Sequence, residues 1–232
     1  MLLLAAGRGA RFGGPLPKAF LRLRGRPLLL HAAERLCAAV GTGTGSELVV
    51  VVHRDDRTPH LEPCRAELLA IAGTRCRLLV VDGGASRQES MQLGLAAAAE
   101  DADLVLVHDA ARALLPVRAT AACIAAAART GAALLAIPAA DTLKRVRDLR
   151  VEATLERESV WQAQTPQVVR RELLQRALAA AREAGFAGTD DVSLVERLGH
   201  PVEVVLGSPG NLKITHPDDL PLAEALFDHS RP

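Results

Sequence analysis

Short apolar runs separated by longer amphipathic stretches set the rhythm of this chain. The runs are Leu2–Leu4, Leu48–Val52, Leu78–Val81, Leu104–Val107, Ala133–Ile137 and Val202–Leu206. Most lack alternation, as expected of strands covered on both faces. The stretches between them have helical composition: Pro27–Ala39, Pro59–Ala72, Ser86–Ala99, Val117–Arg129, Arg171–Ala184 and Pro217–Phe227. Two of these carry start signals. Ser86 with Glu89 has the capping-box spacing, and Thr215-His216-Pro217-Asp218 puts a proline and an acid in a first turn. Strands alternating with helices predict an α/β fold with a doubly wound, mostly parallel sheet. Ligands of such sheets bind outside the carboxyl ends of the strands. The loops after Leu4, Val81 and Val107 are therefore the places to look for chemistry.

Residues 138–168 break the rhythm. Lys144–Arg147 and Val151–Leu155 are charged and alternating, and neither continues a helix. The region reads as an extended β-hairpin arm, roughly residues 138–162, with Asp148 near its turn. A two-stranded hairpin is marginal alone in water, so it should pack on something, and a second subunit is the natural candidate.

Composition narrows the class. The 232 residues are 49% hydrophobic and 24% charged, as in a globular chain with a sizeable core. With aromatics at 2% and no Tyr, that core must be built from Leu, Val and Ala. A net charge of +1 gives no reason to expect a nucleic-acid-binding or membrane-binding surface, so local basic clusters must supply any anion binding. Cys37, Cys64, Cys76 and Cys123 show no C-x-x-C spacing and read as buried hydrophobes in a reducing, cytoplasmic setting. The opening run Met1–Ala6 is too short for a signal peptide, and the longest apolar stretch, between Arg118 and Arg129, is too short to span a membrane. A single domain over residues 1–232 is expected, with no fused second domain.

The first predicted strand runs into a glycine-, arginine- and lysine-bearing loop that ends at Pro17-Lys18. Glycines let backbone N–H groups approach phosphate oxygens, and Arg11 and Lys18 can neutralise a triphosphate. The loop is neither a Walker A motif nor a dinucleotide fingerprint, since its third glycine, Gly13, comes one place late. A plain glycine turn with solvated arginines is the competing reading, and the position directly after strand one favours anion binding. Asp82-Gly83-Gly84-Ala85-Ser86 again links a strand to a helix, where glycine backbone groups and Ser90 can read a base edge. Asp109, after the Leu104–Val107 strand, is suited to a ribose or magnesium contact. His108 finds no second ligand at useful spacing and reads as structural. No G-x-S-x-G elbow or Cys–His pairing offers a covalent nucleophile. The inventory of cations, glycines and one acid suits phosphoryl or nucleotidyl transfer, where catalysis is mainly positioning and charge stabilisation.

Taken in order, Ala5-Ala6-Gly7, Arg11, Pro17-Lys18, Asp82-Gly83-Gly84, His108-Asp109-Ala110-Ala111-Arg112, Asp141-Thr142-Leu143-Lys144, Thr165-Pro166-Gln167, Thr189-Asp190-Asp191 and Asn211–Thr215 span almost the whole chain. The series resembles the 2-C-methyl-D-erythritol 4-phosphate cytidylyltransferases, which have a Rossmann-like nucleotidyltransferase fold. The resemblance implies CMP transfer from CTP to methylerythritol phosphate, with release of pyrophosphate, in the non-mevalonate isoprenoid pathway. It implies that Arg11, Lys18, Arg157 and Lys213 are catalytic. Ala5, Ala6, Gly7, Gly83, Gly84, Ala85, Ser90 and Asp109 would contact the nucleotide, and Asp109, Arg112, Thr142, Arg157, Thr165 and Lys213 the acceptor. It further implies Mg2+ held mainly through the CTP phosphates, with Asp109 the possible protein ligand. The arm would embrace a partner in a homodimer, so that Arg157 and Thr142 act across subunits. Ala19, Phe12 and Ala113 depart from the family's usual Gln, Met and Pro, and the first strand is shorter than usual, which points to a late or truncated start. The nearest alternative is a ribitol-5-phosphate cytidylyltransferase, from which Asp141–Lys144 and Trp161–Gln167 lean away. A sugar-1-phosphate nucleotidyltransferase using another base is a further alternative. A non-catalytic nucleotide-binding regulatory protein would need fewer cations than Arg11 and Lys18 provide.

Overall fold

The computed structural model describes residues 1–7, 12, 14, 16–41, 45–74 and 76–229. In chain order the first half forms β1 (Leu2–Ala5), β2 (Arg22–Leu23), β3 (Arg26–Pro27), α1 (Leu28–Val40), β4 (Ser46–Val52), the single turn α2 (Arg54–Asp56), α3 (Arg65–Ala72), β5 (Cys76–Asp82) and α4 (Arg87–Ala97). Then come β6 (Leu104–Asp109), α5 (Val117–Thr130), β7 (Ala132–Pro138), β8 (Lys144–Arg147), β9 (Arg150–Thr154) and β10 (Trp161–Arg170). The last elements are α6 (Arg171–Glu183), α7 (Val192–Arg197), β11 (Glu203–Leu206) and α8 (Asp219–His229).

A seven-stranded sheet runs in the order β11-β7-β10-β6-β1-β4-β5. β1 is parallel to β4 and β6, β4 to β5, and β7 to β11, while β10 runs antiparallel to both of its neighbours. The doubly wound, mostly parallel sheet is as expected. The chain leaves β1 for β4 and β5, then returns to β6 on the other side of β1. That reversal opens a crevice between the carboxyl ends of β1 and β6, where such sheets bind ligands.

Alternation on the central strands builds two core layers. Leu3, Val50 and Val52 face α1, α3 and α5, where they pack with Leu36, Leu68 and Cys123. Leu2, Leu4, Val49 and Val51 face α4, α6 and α7, packing with Met91, Leu173 and Val195. Gly94 lets α4 approach closely, since a Cβ there would stand 2.8 Å from Val51 Cγ2. A smaller cluster of Leu23, Leu28, Leu114, Ile214 and Ala223, with Phe12 against it, fixes α8 and the loop before it. Ser86 caps α4 as its spacing predicts, accepting from Glu89 N at 3.0 Å, whereas the Glu89 carboxylate returns to Ala85 N at 2.7 Å. All four cysteines are free thiols. Among the described residues, no helix is long and apolar enough to cross a membrane.

The structure redraws the region 138–168. β8 and β9 do form a hairpin, and Asp148 and Leu149 occupy its two-residue turn with φ of 48° and 62°. Residues 161–170, however, are a central strand rather than the end of an arm. β10 threads between β7 and β6, with an irregular register between Ala163 and Gln167. Its apolar content is low because Gln164, Thr165 and Gln167 are buried as hydrogen-bonding groups.

Candidate active site

The crevice is a cleft of about 400 Å³, lined from β1 by Leu4–Gly7, from the turn after β5 by Gly84–Arg87, and from β6 by Asp109. Lys18 and Lys213 also line it. Lys18 opens a single 3₁₀ turn whose Ala19 and Phe20 are buried in the core, which anchors its backbone beside the cleft that it lines. Arg11 lies outside the described residues.

The turn after β5 is held in an open shape by its own side chains. Ser90 Oγ accepts from Gly84 N at 3.1 Å and donates to Ser86 O at 2.8 Å. A Cβ at Gly83 would stand 2.4 Å from Ala6 Cβ. Glycine there lets the β5 turn and the β1 loop meet, and the meeting leaves backbone groups beside the cleft.

Asp109 is the charged hub. Its Oδ2 accepts from Lys213 Nζ at 2.6 Å and its Oδ1 from Arg87 Nε at 3.1 Å. Arg87 also makes a bidentate pair with Asp191, at 2.9 and 2.8 Å. Burial alone would raise the Asp109 carboxyl, but Arg87 and Lys213 overcome it and hold the group well below the usual carboxylate range. Burial also pushes Asp191 up, a push that the Arg87 guanidinium opposes.

Behind Asp109 lies a chain of neutral hydrogen bonds. Asp109 N donates to Thr165 Oγ1 at 3.1 Å, and Thr165 Oγ1 lies 2.9 Å from His108 Nδ1. His108 Nε2 lies 3.0 Å from Arg112 O. The carbonyl must accept, so Nε2 carries the proton and Nδ1 accepts from the threonine hydroxyl. Burial pushes His108 down to about 4, which keeps it neutral. Arg112 Nη1 donates to Asn211 O at 2.7 Å, and Asn211 Nδ2 donates to Thr165 O at 2.8 Å. With Ile214 N bonded to Ala111 O, these contacts fix the loop that presents Lys213.

The structure therefore brings Ala5, Ala6, Gly7, Lys18, Gly84, Ala85, Ser90, Asp109 and Lys213 to one cleft, with Gly83 in the turn behind it. Arg112 and Thr165 sit behind the Asp109 wall and do not line it. Thr142 and Arg157 are on the exposed arm, away from this lining, and Arg157 Nη1 donates to Ala140 O at 3.1 Å. Sequence reasoning gave no role to His53, which lines the cleft, or to Arg87, and it named Asp191 only within the Thr189-Asp190-Asp191 motif of the family resemblance. Arg87 had a readable signal: a cation in the first turn of a helix opposes the helix dipole and needs a reason to be there. Among the described residues, no three His, Cys, Asp or Glu side chains converge on a metal position.

The IspD family profile, described as 2-C-methyl-D-erythritol 4-phosphate cytidylyltransferase, matches residues 1–229. A protein of that name from Solibacter usitatus is 43% identical over 234 aligned residues, covering 96% of this chain and 93% of the relative. One from Geobacillus kaustophilus is 40% identical, covering 97% and 95%. Among solved structures, the 2-C-methyl-D-erythritol 4-phosphate cytidylyltransferase of Thermus thermophilus aligns over 98% of both chains, with a TM-score of 0.76 and 37% identity. A 4-diphosphocytidyl-2C-methyl-D-erythritol synthase from Anaerococcus prevotii aligns over 98% of this chain and 96% of its own, with a TM-score of 0.81 and 26% identity. Sequence likeness along the whole length and a shared fold lead to one conclusion: this chain belongs to the IspD family of 2-C-methyl-D-erythritol 4-phosphate cytidylyltransferases.

Proposed function

We propose that the crevice between β1 and β6 is the seat of cytidylyl transfer in this protein. As a member of its family, the protein is a CTP-dependent cytidylyltransferase that forms 4-diphosphocytidyl-2C-methyl-D-erythritol in isoprenoid synthesis. An oxygen of the acceptor phosphate attacks the α-phosphorus of CTP. A new P–O bond forms, the bond to the bridging oxygen of the β-phosphate breaks, and pyrophosphate leaves with the electron pair.

The observation that carries this reading is the clamped Asp109. Its carboxylate is tied by Lys213 and Arg87, so it is poorly placed to act as a base and well placed to orient a cation and a sugar hydroxyl. Around it the described cleft lining carries Lys18, Arg87 and Lys213, a balance suited to a polyphosphate. In this reading Ala5, Ala6, Gly7 and Asp109 meet the ribose and phosphates, while Gly83, Gly84, Ala85 and Ser90 read cytosine. Lys18 and Arg11 stabilise charge on the transferring and leaving phosphates, and Lys213 grips the acceptor phosphate. Arg112 and Thr165 serve the acceptor side by holding the Asn211–Lys213 loop and Asp109 in place.

The donor set fits a magnesium ion carried by the nucleotide. Asp109 is the carboxylate in the described lining, and both of its oxygens are already paired, so a full protein cage has no ligands. Such an ion would neutralise triphosphate charge, with Asp109 its possible protein contact. The arm supports a homodimer in which Thr142 and Arg157 complete the partner's acceptor site. Free thiols are in keeping with a cytoplasmic location.

Pyrophosphate release from CTP, measured with 2-C-methyl-D-erythritol 4-phosphate or ribitol 5-phosphate as acceptor, tests the reading. Release is expected with the first, to be lost on chelation with EDTA and restored by Mg2+. Turnover with ribitol 5-phosphate alone would overturn the acceptor assignment, and no release with either would overturn the activity.

A further inference from the structure

Arg87 occupies an unfavourable place for a cation, in the first turn of an 11-residue helix. Its surroundings explain how it stays there. Both terminal nitrogens bind Asp191, and Nε binds Asp109. Asp191 is 1% exposed and is not part of the cleft lining, so it cannot touch a substrate bound in the cleft. It is fixed in turn from β10, where Gln167 Oε1 accepts from Asp191 N at 2.8 Å and from Val192 N at 3.0 Å. Next to Arg87, Gln88 Oε1 accepts from Gly188 N at 2.9 Å. Four alternating charges, Lys213, Asp109, Arg87 and Asp191, thus run from the acceptor-side loop, across the cleft floor and the start of α4, to the residue that precedes α7.

We propose that Arg87 is a positioning residue for cytidylyl transfer. Anchored by Asp191, it fixes one oxygen of Asp109 so that the other aims the Lys213 ammonium. The inference rests on Lys213 being the grip on the acceptor phosphate. Without Arg87, Asp109 loses half of its compensation. Its carboxylate then draws Lys213 inward and repels the incoming phosphates. A displacement of about 1 Å at the reacting centre is enough to cost on the order of 10²-fold in rate.

The test is steady-state kinetics of Arg87→Met, Arg87→Lys, Asp191→Asn and the double variant Arg87→Met/Asp191→Asn, with thermal melting and equilibrium CTP binding in parallel. Arg87→Met is expected to lower kcat/KM for the acceptor by about 10²-fold, a larger loss than it causes in CTP affinity. Arg87→Lys should recover about tenfold of that loss, because it keeps the charge but not the fork. Asp191→Asn, which removes an anchor out of reach of substrate, should cost about tenfold on the same parameter. The double variant should be no worse than Arg87→Met, since residues acting in series are not additive. Should Arg87→Met fail to fold, Arg87→Lys and Asp191→Asn give the same decision. A folded Asp191→Asn protein with wild-type kcat and acceptor KM overturns the proposal, and so do losses that multiply in the double variant. Those results require an active wild-type protein, whereas a wild-type protein that releases no pyrophosphate removes the parent reading and this one with it.

Discussion

The cleft floor and the β8–β9 arm are both dense in charge, and they handle it in opposite ways. On the floor Asp109, and behind it Asp191, are buried and each meets a cation. Removing Arg87 would strand the buried Asp191 and leave Asp109 with one partner, and this sharing of partners makes the set act as a unit. On the arm, every residue of β8 is exposed, and the pair Arg147–Glu152 spans side chains 76% and 35% exposed, where an ion pair contributes little. Val146, Leu149 and Val151 face solvent there as well, with Leu149 at 99% exposure. The floor is complete within one chain. The arm displays apolar groups that nothing in this chain covers among the described residues, and that contrast is the argument for a partner.

The contrast can be broken or sharpened by experiment. The largest effect is expected from Lys18→Ala or Arg11→Ala, which should lower kcat about 10²–10³-fold with little change in CTP KM. Near wild-type turnover in either variant would remove its charge-stabilising role. A subunit-mixing experiment comes next. Arg157→Ala alone should lower acceptor kcat/KM about 10–10²-fold. Mixing it one to one with inactive Lys18→Ala should restore about a quarter of wild-type activity, because half of the dimers then carry one intact site. No recovery after subunit exchange would place Arg157 in its own chain's chemistry or outside it.

The third effect concerns stability. The His108 pKa in the folded protein, about 4, lies below the unfolded value of about 6.5, so the unfolded chain takes up the proton first. Its contribution is therefore complete above about pH 6.5 and is lost as pH falls toward 4, by about 3 kcal/mol in all. Urea midpoints measured from pH 7 to 4.5 should show this slope, and His108→Gln should flatten it. An unchanged slope would mean that other groups set the acid limit. The smallest effect is expected from Leu149→Ser, which should change the stability of the isolated chain by less than about 0.5 kcal/mol while weakening self-association. A drop in the melting temperature without any change in sedimentation would mean that the arm tip packs within its own subunit.

Much of this was legible along the chain, for reasons visible at particular residues. Leu2–Leu4 and Leu48–Val52 are apolar on both faces because helices cover both faces. Ser86 announced α4 because a cap depends only on residues three apart. β10 was not legible, since Gln164, Thr165 and Gln167 look like loop residues until their partners appear. Gln164 Nε2 donates to Ser208 O and Gln167 Nε2 to Asp190 Oδ2, both at 2.8 Å and both far away in sequence. The role of Arg87 was not legible for the same reason: Asp191 lies 104 positions further on.

By itself the sequence determined the strand-and-helix alternation, the glycine positions and the acids and lysines at strand ends, because each depends on neighbours within a turn or two. Only the tertiary structure decided which of those ends share a crevice. It set β10 antiparallel at the centre and tied Asp109 to Lys213 and Arg87 at once. Charge pairing and burial are properties of distance in space, and residues 22 and 104 positions from Asp109 come within 3.1 and 2.6 Å of it only when the sheet has formed.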